Sequence, residues 1–261
     1  MKELLALTRR CIQDYNMIPP GEKVAVGVSG GKDSLSLLYL LARLREFYPG
    51  GFDLYAITLD MGFEGMDFSP LAAFCQRIGV PFVLKKTQMK QVIFDIRQES
   101  NPCSLCAKMR RGALNDAALA LGCRTIALGH HFDDVAETVL LSLFYEGRIH
   151  CFSPVTYLSR KDVNCIRPML YVEERQIVNF ARREQLPVVH NTCPADKHTK
   201  REEIKQLLRT LEQTNPGLRG RIFGAVKRYP LEGWEGAQPL LRQGPAPRWT
   251  QRGGGRGAIC G

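Results

Sequence analysis

An apolar run, Val24-Ala25-Val26-Gly27-Val28, breaks at Ser29-Gly30-Gly31-Lys32-Asp33-Ser34 and gives way to a leucine-rich segment with Leu35, Leu37, Leu38, Leu40 and Leu41. A short apolar run bounded by glycines reads as a buried strand, and the segment after it as an amphipathic helix. Strand, tight glycine turn and helix in succession open a right-handed βαβ unit, which commits the chain to a parallel sheet covered by helices. Glycines let backbone N–H groups come close to a ligand, and a helix N-terminus favours negative charge. Lys32 adds a cation, and Ser29 and Ser34 add hydroxyl donors. The turn therefore has the chemistry of a polyphosphate cradle.

The two commonest phosphate loops do not fit. A Walker loop requires glycine five residues before Gly31, where Val26 stands, and a hydroxyl after the lysine, where Asp33 stands. A dinucleotide fingerprint requires a second glycine two residues after Gly27, and that position is Ser29. Capping of a helix by Ser29 accounts for a glycine turn but not for Lys-Asp beside it. The six residues resemble the signature Ser-Gly-Gly-x-Asp-Ser of the PP-loop ATP pyrophosphatases, in the adenine nucleotide alpha-hydrolase superfamily. That resemblance implies a Rossmann-like domain in which Ser29, Gly30, Gly31, Lys32, Asp33 and Ser34 hold the pyrophosphate of ATP while a substrate is adenylated.

Alternation continues through the first half. Strands are expected at Val24–Val28, Leu54–Leu59, Pro81–Leu84 and Thr125–Leu128, and helices at Asp33–Glu46, Pro70–Ile78, Leu105–Leu121 and Asp134–Tyr145. Ligands of such α/β sheets bind at the carboxyl ends of the strands, so Ser29–Ser34, Thr58–Asp60 and Gly129–Asp134 should converge on one crevice. Further on, a strand at Val163–Ile166, a helix near Val172–Arg183 and an extended run at Pro187–His190 are expected. Thr199 and Glu202 form a capping box for a helix Lys200–Glu212, which Asn215-Pro216 ends, and Leu218–Arg228 reads as a basic helix. The division expected is a parallel-sheet domain over 1–190, a small, mostly helical basic extension over 191–229 and a flexible Gly/Pro/Arg-rich tail over 230–261.

A second constellation is Gly129-His130-His131-Phe132-Asp133-Asp134. It begins where a buried strand ends and runs into an apolar helix, so Asp133 also reads as a cap. Carboxylates beside a triphosphate suit magnesium, which bridges phosphate oxygens and keeps several waters. Asp33 and Asp134 are the catalytic carboxylates expected, with Lys32. Gly129 and His130 are expected to contact the nucleotide, and His131 is an alternative to His130. Thr58 and Asp60, ending the second strand, are placed beside adenine and ribose, although strand-ending aspartates are also common in turns.

The third constellation is Cys103-Ser104-Leu105-Cys106, with Lys108, Arg110 and Arg111 after it. Two cysteines three apart at a helix start can grip a metal or cluster, act as a redox dithiol or be inert. Cys193 is the third ligand by context, and His190 and His198 keep zinc open. Nine cysteines, an odd number, do not suit a disulfide framework. No apolar run approaches a membrane span and Met1-Lys2-Glu3 begins no secretory signal, so a cytoplasmic protein is expected.

Net charge is +10, partly from Arg242, Arg248, Arg252 and Arg256 in the tail, which favours an anionic partner such as RNA. Pro20-Gly21-Glu22-Lys23, Cys-Ser-Leu-Cys with Arg-Arg-Gly, Ile126 to His131, Phe144-Tyr145-Glu146-Gly147 and Ile166-Arg167-Pro168-Met169 together resemble the tRNA 2-thiocytidine biosynthesis family. The resemblance implies ATP- and Mg2+-dependent thiolation of a cytidine in the tRNA anticodon loop. It also implies a [4Fe–4S] cluster on Cys103, Cys106 and Cys193 with one iron open. Lys108, Arg110, Arg111, Arg182, Arg183 and the basic C-terminal helix are expected to hold the tRNA. A cysteine desulfurase or free sulfide is the sulfur donor expected, and a homodimer stays open. Two other readings use the same residues: a ligase joining an amine to an adenylated tRNA base, and a zinc-stabilised RNA-binding protein.

Overall fold

The computed structural model describes residues 1–97, 102–189, 193 and 200–236. His190, His198, the Thr199 cap and the arginines from Arg242 onward lie outside the described residues. Six strands form one sheet: β1 (Glu22–Gly27), β2 (Phe52–Asp60), β3 (Phe82–Lys86), β4 (Thr125–Ala127), β5 (Val155–Leu158) and β6 (Val163–Ile166), in the order β3-β2-β1-β4-β6-β5. Val24, Ala25 and Val26 of β1 are wholly buried, as a central strand covered on both faces must be. Its neighbours β2 and β4 run parallel to it, Val26 lying beside Ala56 on one side and Ala127 on the other. β3 and β6 extend the parallel run, and β5 pairs antiparallel with β6. This antiparallel edge was not expected from the sequence. Val155–Leu158 is a short, half-exposed strand whose partner lies just beyond a tight turn at Asp162, with φ 51°.

The chain steps outward from β1 through β2 to β3, then crosses back to add β4 on β1's other side. The order therefore reverses between β1 and β4, and the crevice outside their carboxyl ends is the switch point where such sheets bind ligands. Both glycine-rich segments lie there.

Among the described residues, eight α-helices surround the sheet: α1 (Lys2–Asp14), α2 (Lys32–Leu44), α3 (Ser69–Arg77), α4 (Pro102–Ala120), α5 (Phe132–Glu146), α6 (Glu174–Arg183), α7 (Lys200–Thr214) and α8 (Leu218–Arg228). Gln91–Ile96 forms one π-helical stretch before α4. α2 is not amphipathic as its leucines suggested: ten of its residues are buried, because α1 and α6 cover the side turned away from the sheet. α1 itself was missed. Its buried Leu4, Thr8, Cys11 and Ile12 keep helical spacing, but among charged neighbours the signal is thin.

The C-terminal helices share the core of the main domain. Ile204 and Leu208 of α7 pack with Ala136 of α5 and with Leu218 and Ile222 of α8. Phe223 stacks on Phe132 with ring centroids 4.6 Å apart and meets Trp234 edge-on. Residues 230–236, which the composition assigned to a flexible tail, are packed onto the fold. Trp234 is only 2% exposed, and its indole N–H donates to the Phe152 carbonyl at 2.9 Å. One buried aromatic is enough to order a polar segment, and that is why composition misled there. Trp234→Ala is expected to cost about 3–5 kcal/mol, and an unchanged denaturation midpoint would contradict this packing. Among the described residues, no helix is long and apolar enough to cross a membrane.

Candidate active site

The loop after β1 is shaped by its own serines. Ser34 Oγ accepts the Ser29 backbone N–H at 3.1 Å and donates to the Gly31 carbonyl at 3.0 Å, while Ser29 Oγ accepts from the Gly31 N–H at 3.3 Å. These hydroxyls hold the curve of the cradle. Gly30 has φ +85°, and a Cβ there would sit 3.1 Å from Val189, whose N–H donates to the Gly30 carbonyl at 3.0 Å. Only glycine satisfies both the conformation and the approach. Gly31 caps α2 in an extended conformation, and the amides of the first helical turn have no acceptor within the helix.

Gly129 is what brings the second segment against this loop. A Cβ at that position would stand 3.1 Å from the Asp33 carbonyl carbon and the Ser34 nitrogen, atoms of a backbone that cannot swing aside. Gly129 thus packs the two loops together. Gly129→Ala should separate them, costing about 1–3 kcal/mol in denaturation and weakening ATP in a titration; wild-type values for both would refute the packing role.

His131 caps α5, and Asp134 Oδ2 accepts the His131 N–H at 2.9 Å. The His131 ring is 3% exposed, with Nε2 3.5 Å from Asp134 Oδ2 and 3.8 Å from Asp33 Oδ1. It is the imidazole between the two loops. The His130 ring packs against Phe152 at 4.8 Å. Burial, with Arg167 nearby, takes its pKa down to about 4, so its ring is neutral. Asp133 is the cap that its position suggested, though of another helix. Its Oδ2 accepts the N–H of Glu174 at 2.7 Å, and Arg219 of α8 lies 3.3 Å from Oδ1. Asp133 is thereby committed to joining α5, α6 and α8.

Three further groups complete the crevice, and the sequence reading assigned none of them. Glu174, in the first turn of α6, places Oε1 3.1 Å from Lys32 Nζ and 2.6 Å from Lys205 Nζ of α7. Burial alone would raise the Glu174 pKa, but the hydrogen bond from Lys205 and the charges of both lysines bring it to about 2. Burial would lower Lys32 too, yet Asp33, 3.1 Å away, and Glu174 hold it above the ordinary lysine value. Arg201, one turn before Lys205, lies 3.2 Å from Asp134 and 3.1 Å from the buried Glu137. Arg201 and Lys205 stand four apart on one helix face, a spacing visible in the chain although its target is not.

Thr58 and Asp60 take structural parts at the end of β2. Thr58, 1% exposed, donates its hydroxyl to the Val28 carbonyl at 2.9 Å, fastening β2 to β1 just before the loop. The Asp60 carboxylate accepts the Gly62 N–H at 2.9 Å in a tight turn, the alternative that its position allowed.

The cysteines fall into two populations. Cys11, Cys75, Cys123, Cys151 and Cys165 are buried, and burial pushes their thiols up, Cys11 and Cys151 to about 12. Cys103 is exposed, and Cys106 and Cys193 are half-buried. Burial also raises Cys106, Arg110 works against this, and Cys193 and Cys103 are close enough to add to it. Cys106 Sγ stands 4.0 Å from the sulfur of Met61, which directly follows β2, while Cys193 follows the segment that Val189 ties to Gly30. All three thiols thus gather beside the carboxyl edge of the sheet. They do not close to ligating distances here: among the described residues no group of three or more His, Cys, Asp or Glu side chains is arranged to hold a metal ion. Three accessible thiols with no fourth ligand beside them among the described residues nonetheless suit a cluster with one iron open.

Residues 4–211 match the family model of the PP-loop domain. The chain is 37% identical over 228 residues to the tRNA-cytidine(32) 2-sulfurtransferase of Geobacter sulfurreducens, covering 86% of this chain and 89% of that protein. The corresponding protein of Geobacter metallireducens is 39% identical over 220 residues, covering 83% and 86%. Among solved structures, the U34-tRNA thiolase NcsA from Methanococcus maripaludis with its [4Fe-4S] cluster is similar at TM-score 0.72 and 28% identity, covering 87% of this chain and 78% of that one.

Proposed function

The chain belongs to the PP-loop domain family and, within it, to the tRNA-cytidine(32) 2-sulfurtransferases, and from that premise we propose that it thiolates cytidine 32 of the tRNA anticodon loop at the expense of ATP. One observation supports the reading above the rest. The Ser-Gly-Gly-Lys-Asp-Ser loop and the start of α5 stand side by side at the carboxyl ends of β1 and β4, with His131 between Asp33 and Asp134.

The chemistry follows from the substrate. The C2 oxygen of cytidine is a poor leaving group, so it must first be activated. It attacks the α-phosphorus of ATP and pyrophosphate departs, its developing charge met by Lys32 and by the amides at the start of α2. Sulfur then attacks C2, and the C2–O bond breaks with the oxygen leaving in AMP. Asp33 and Asp134 would hold Mg2+, which would supply neutralisation of the phosphate charge. Cys103, Cys106 and Cys193 would hold the [4Fe–4S] cluster, whose open iron supplies a Lewis-acidic site for sulfur. Cysteine desulfurase or free sulfide is the donor in this reading, and the protein works in the cytoplasm, with a homodimer compatible.

Lys108, Arg110 and Arg111 of α4 and Arg182 and Arg183 of α6 are exposed and would face RNA phosphates, Arg183 while paired with Glu184 at 3.0 Å and Arg110 while bonded to Cys106. Arg219 of the basic C-terminal helix is not, being turned inward to Asp133 and Glu212. Nucleoside mass spectrometry of tRNA from cells lacking the protein tests the assignment. Loss of 2-thiocytidine is expected; an unchanged level would overturn it.

A further inference from the structure

Glu174 holds two ammonium groups on a single oxygen. Oε1 is 3.1 Å from Lys32 Nζ on the phosphate loop and 2.6 Å from Lys205 Nζ on α7. Its backbone is fixed, because the Glu174 N–H is held by Asp133 at 2.7 Å and α6 starts there. Lys32 is shared between Asp33 and Glu174, each 3.1 Å away, so an arriving polyphosphate has to compete with both carboxylates for its ammonium group. For Lys32 to reach phosphate oxygens it must leave Glu174, and a carboxylate stripped of all its cations in a partly buried site is costly.

We propose that Lys205 is a positioning residue that acts through Glu174: it neutralises the carboxylate when Lys32 turns to the triphosphate, and so makes Lys32 available to ATP. This rests on the reading of the loop as the ATP site. α7 thereby becomes a third wall of that site, with Arg201 performing a related task for Asp134 and Glu137 one turn earlier. Without Lys205, Glu174 would bind Lys32 alone and hold it back. With Glu174 also removed, only Asp33 would hold Lys32, and Lys205 would cease to matter.

A double-mutant cycle on the full-length protein, read by ATP binding in calorimetry, distinguishes this relay from a direct phosphate contact. Lys205→Ala is expected to weaken ATP about tenfold, the scale set by a partly buried carboxylate losing one of its cations. Glu174→Gln should bind at least as tightly as wild type, and Glu174→Gln with Lys205→Ala should bind as Glu174→Gln does. Recovery in the double variant also excludes misfolding as the cause of the weak binding. Wild-type affinity in Lys205→Ala, or a double variant as weak as Lys205→Ala, would overturn the relay while leaving the ATP site standing. If the wild-type protein bound no ATP, the reading of the loop itself would fail.

Discussion

Lys32→Ala is expected to slow tRNA-dependent pyrophosphate release by roughly 100- to 1,000-fold, the loss typical when one preorganised donor to a developing negative charge is deleted. The structure explains why so much should depend on one side chain. Lys32 is half-buried at the N-terminus of α2, its charge is secured by Asp33 and Glu174, and the loop beneath it is stapled by Ser29 and Ser34. A cation held in place before the reaction needs no reorganisation when charge moves onto the leaving group. The effect should fall more on kcat than on ATP affinity, which is expected to drop about tenfold, as in Lys205→Ala, because the loop amides still hold ATP in the ground state. Burst-phase measurement of pyrophosphate with tRNA and ATP checks this, and a variant releasing pyrophosphate at the native rate would contradict it.

Replacing Cys103, Cys106 and Cys193 together with alanine should separate the two halves of the reaction. Thiolation is expected to vanish, together with the visible absorption of anaerobically reconstituted protein, while pyrophosphate release on mixing ATP and tRNA persists. The reason is positional. The thiols enter the site from α4 and from the segment after Val189, whereas the phosphate cradle is built from the β1–α2 loop and the start of α5. Cys123→Ala serves as a comparison: this thiol is buried in the core beside Ile126 and Ala118, and its loss should touch stability alone. Persistence of the iron absorption in the triple variant would remove these cysteines from the cluster site.

What could be read from the chain followed from how local each signal is. The strand–glycine–helix succession at Val24–Leu41 depends on neighbours in sequence, and the parallel sheet and its switch point followed from it. Thr58 and Asp60 stood at the right edge of the sheet, yet their side chains serve the backbone, because a strand end leaves carbonyls and amides in need of partners. His130 and His131 could not be told apart by spacing. The capping geometry of α5 decides which ring turns toward Asp33, and that depends on how closely Gly129 lets two backbones meet. Glu174, Arg201 and Lys205 were hidden for a different reason. Their partners lie 142, 67 and 31 residues away in the chain (Lys32, Asp134 and Glu174), and no local pattern links them. Trp234 was concealed by the composition around it.

The central claim is that the base oxygen, activated by ATP, leaves in AMP. The most direct measurement uses tRNA carrying a heavy-oxygen label at C2 of cytidine 32, one turnover with ATP and a sulfur donor, and mass spectrometry of the products. The label is expected in the phosphate of AMP, with pyrophosphate unlabelled. Label recovered in water or in inorganic phosphate, or ADP formed in place of AMP, would contradict the account.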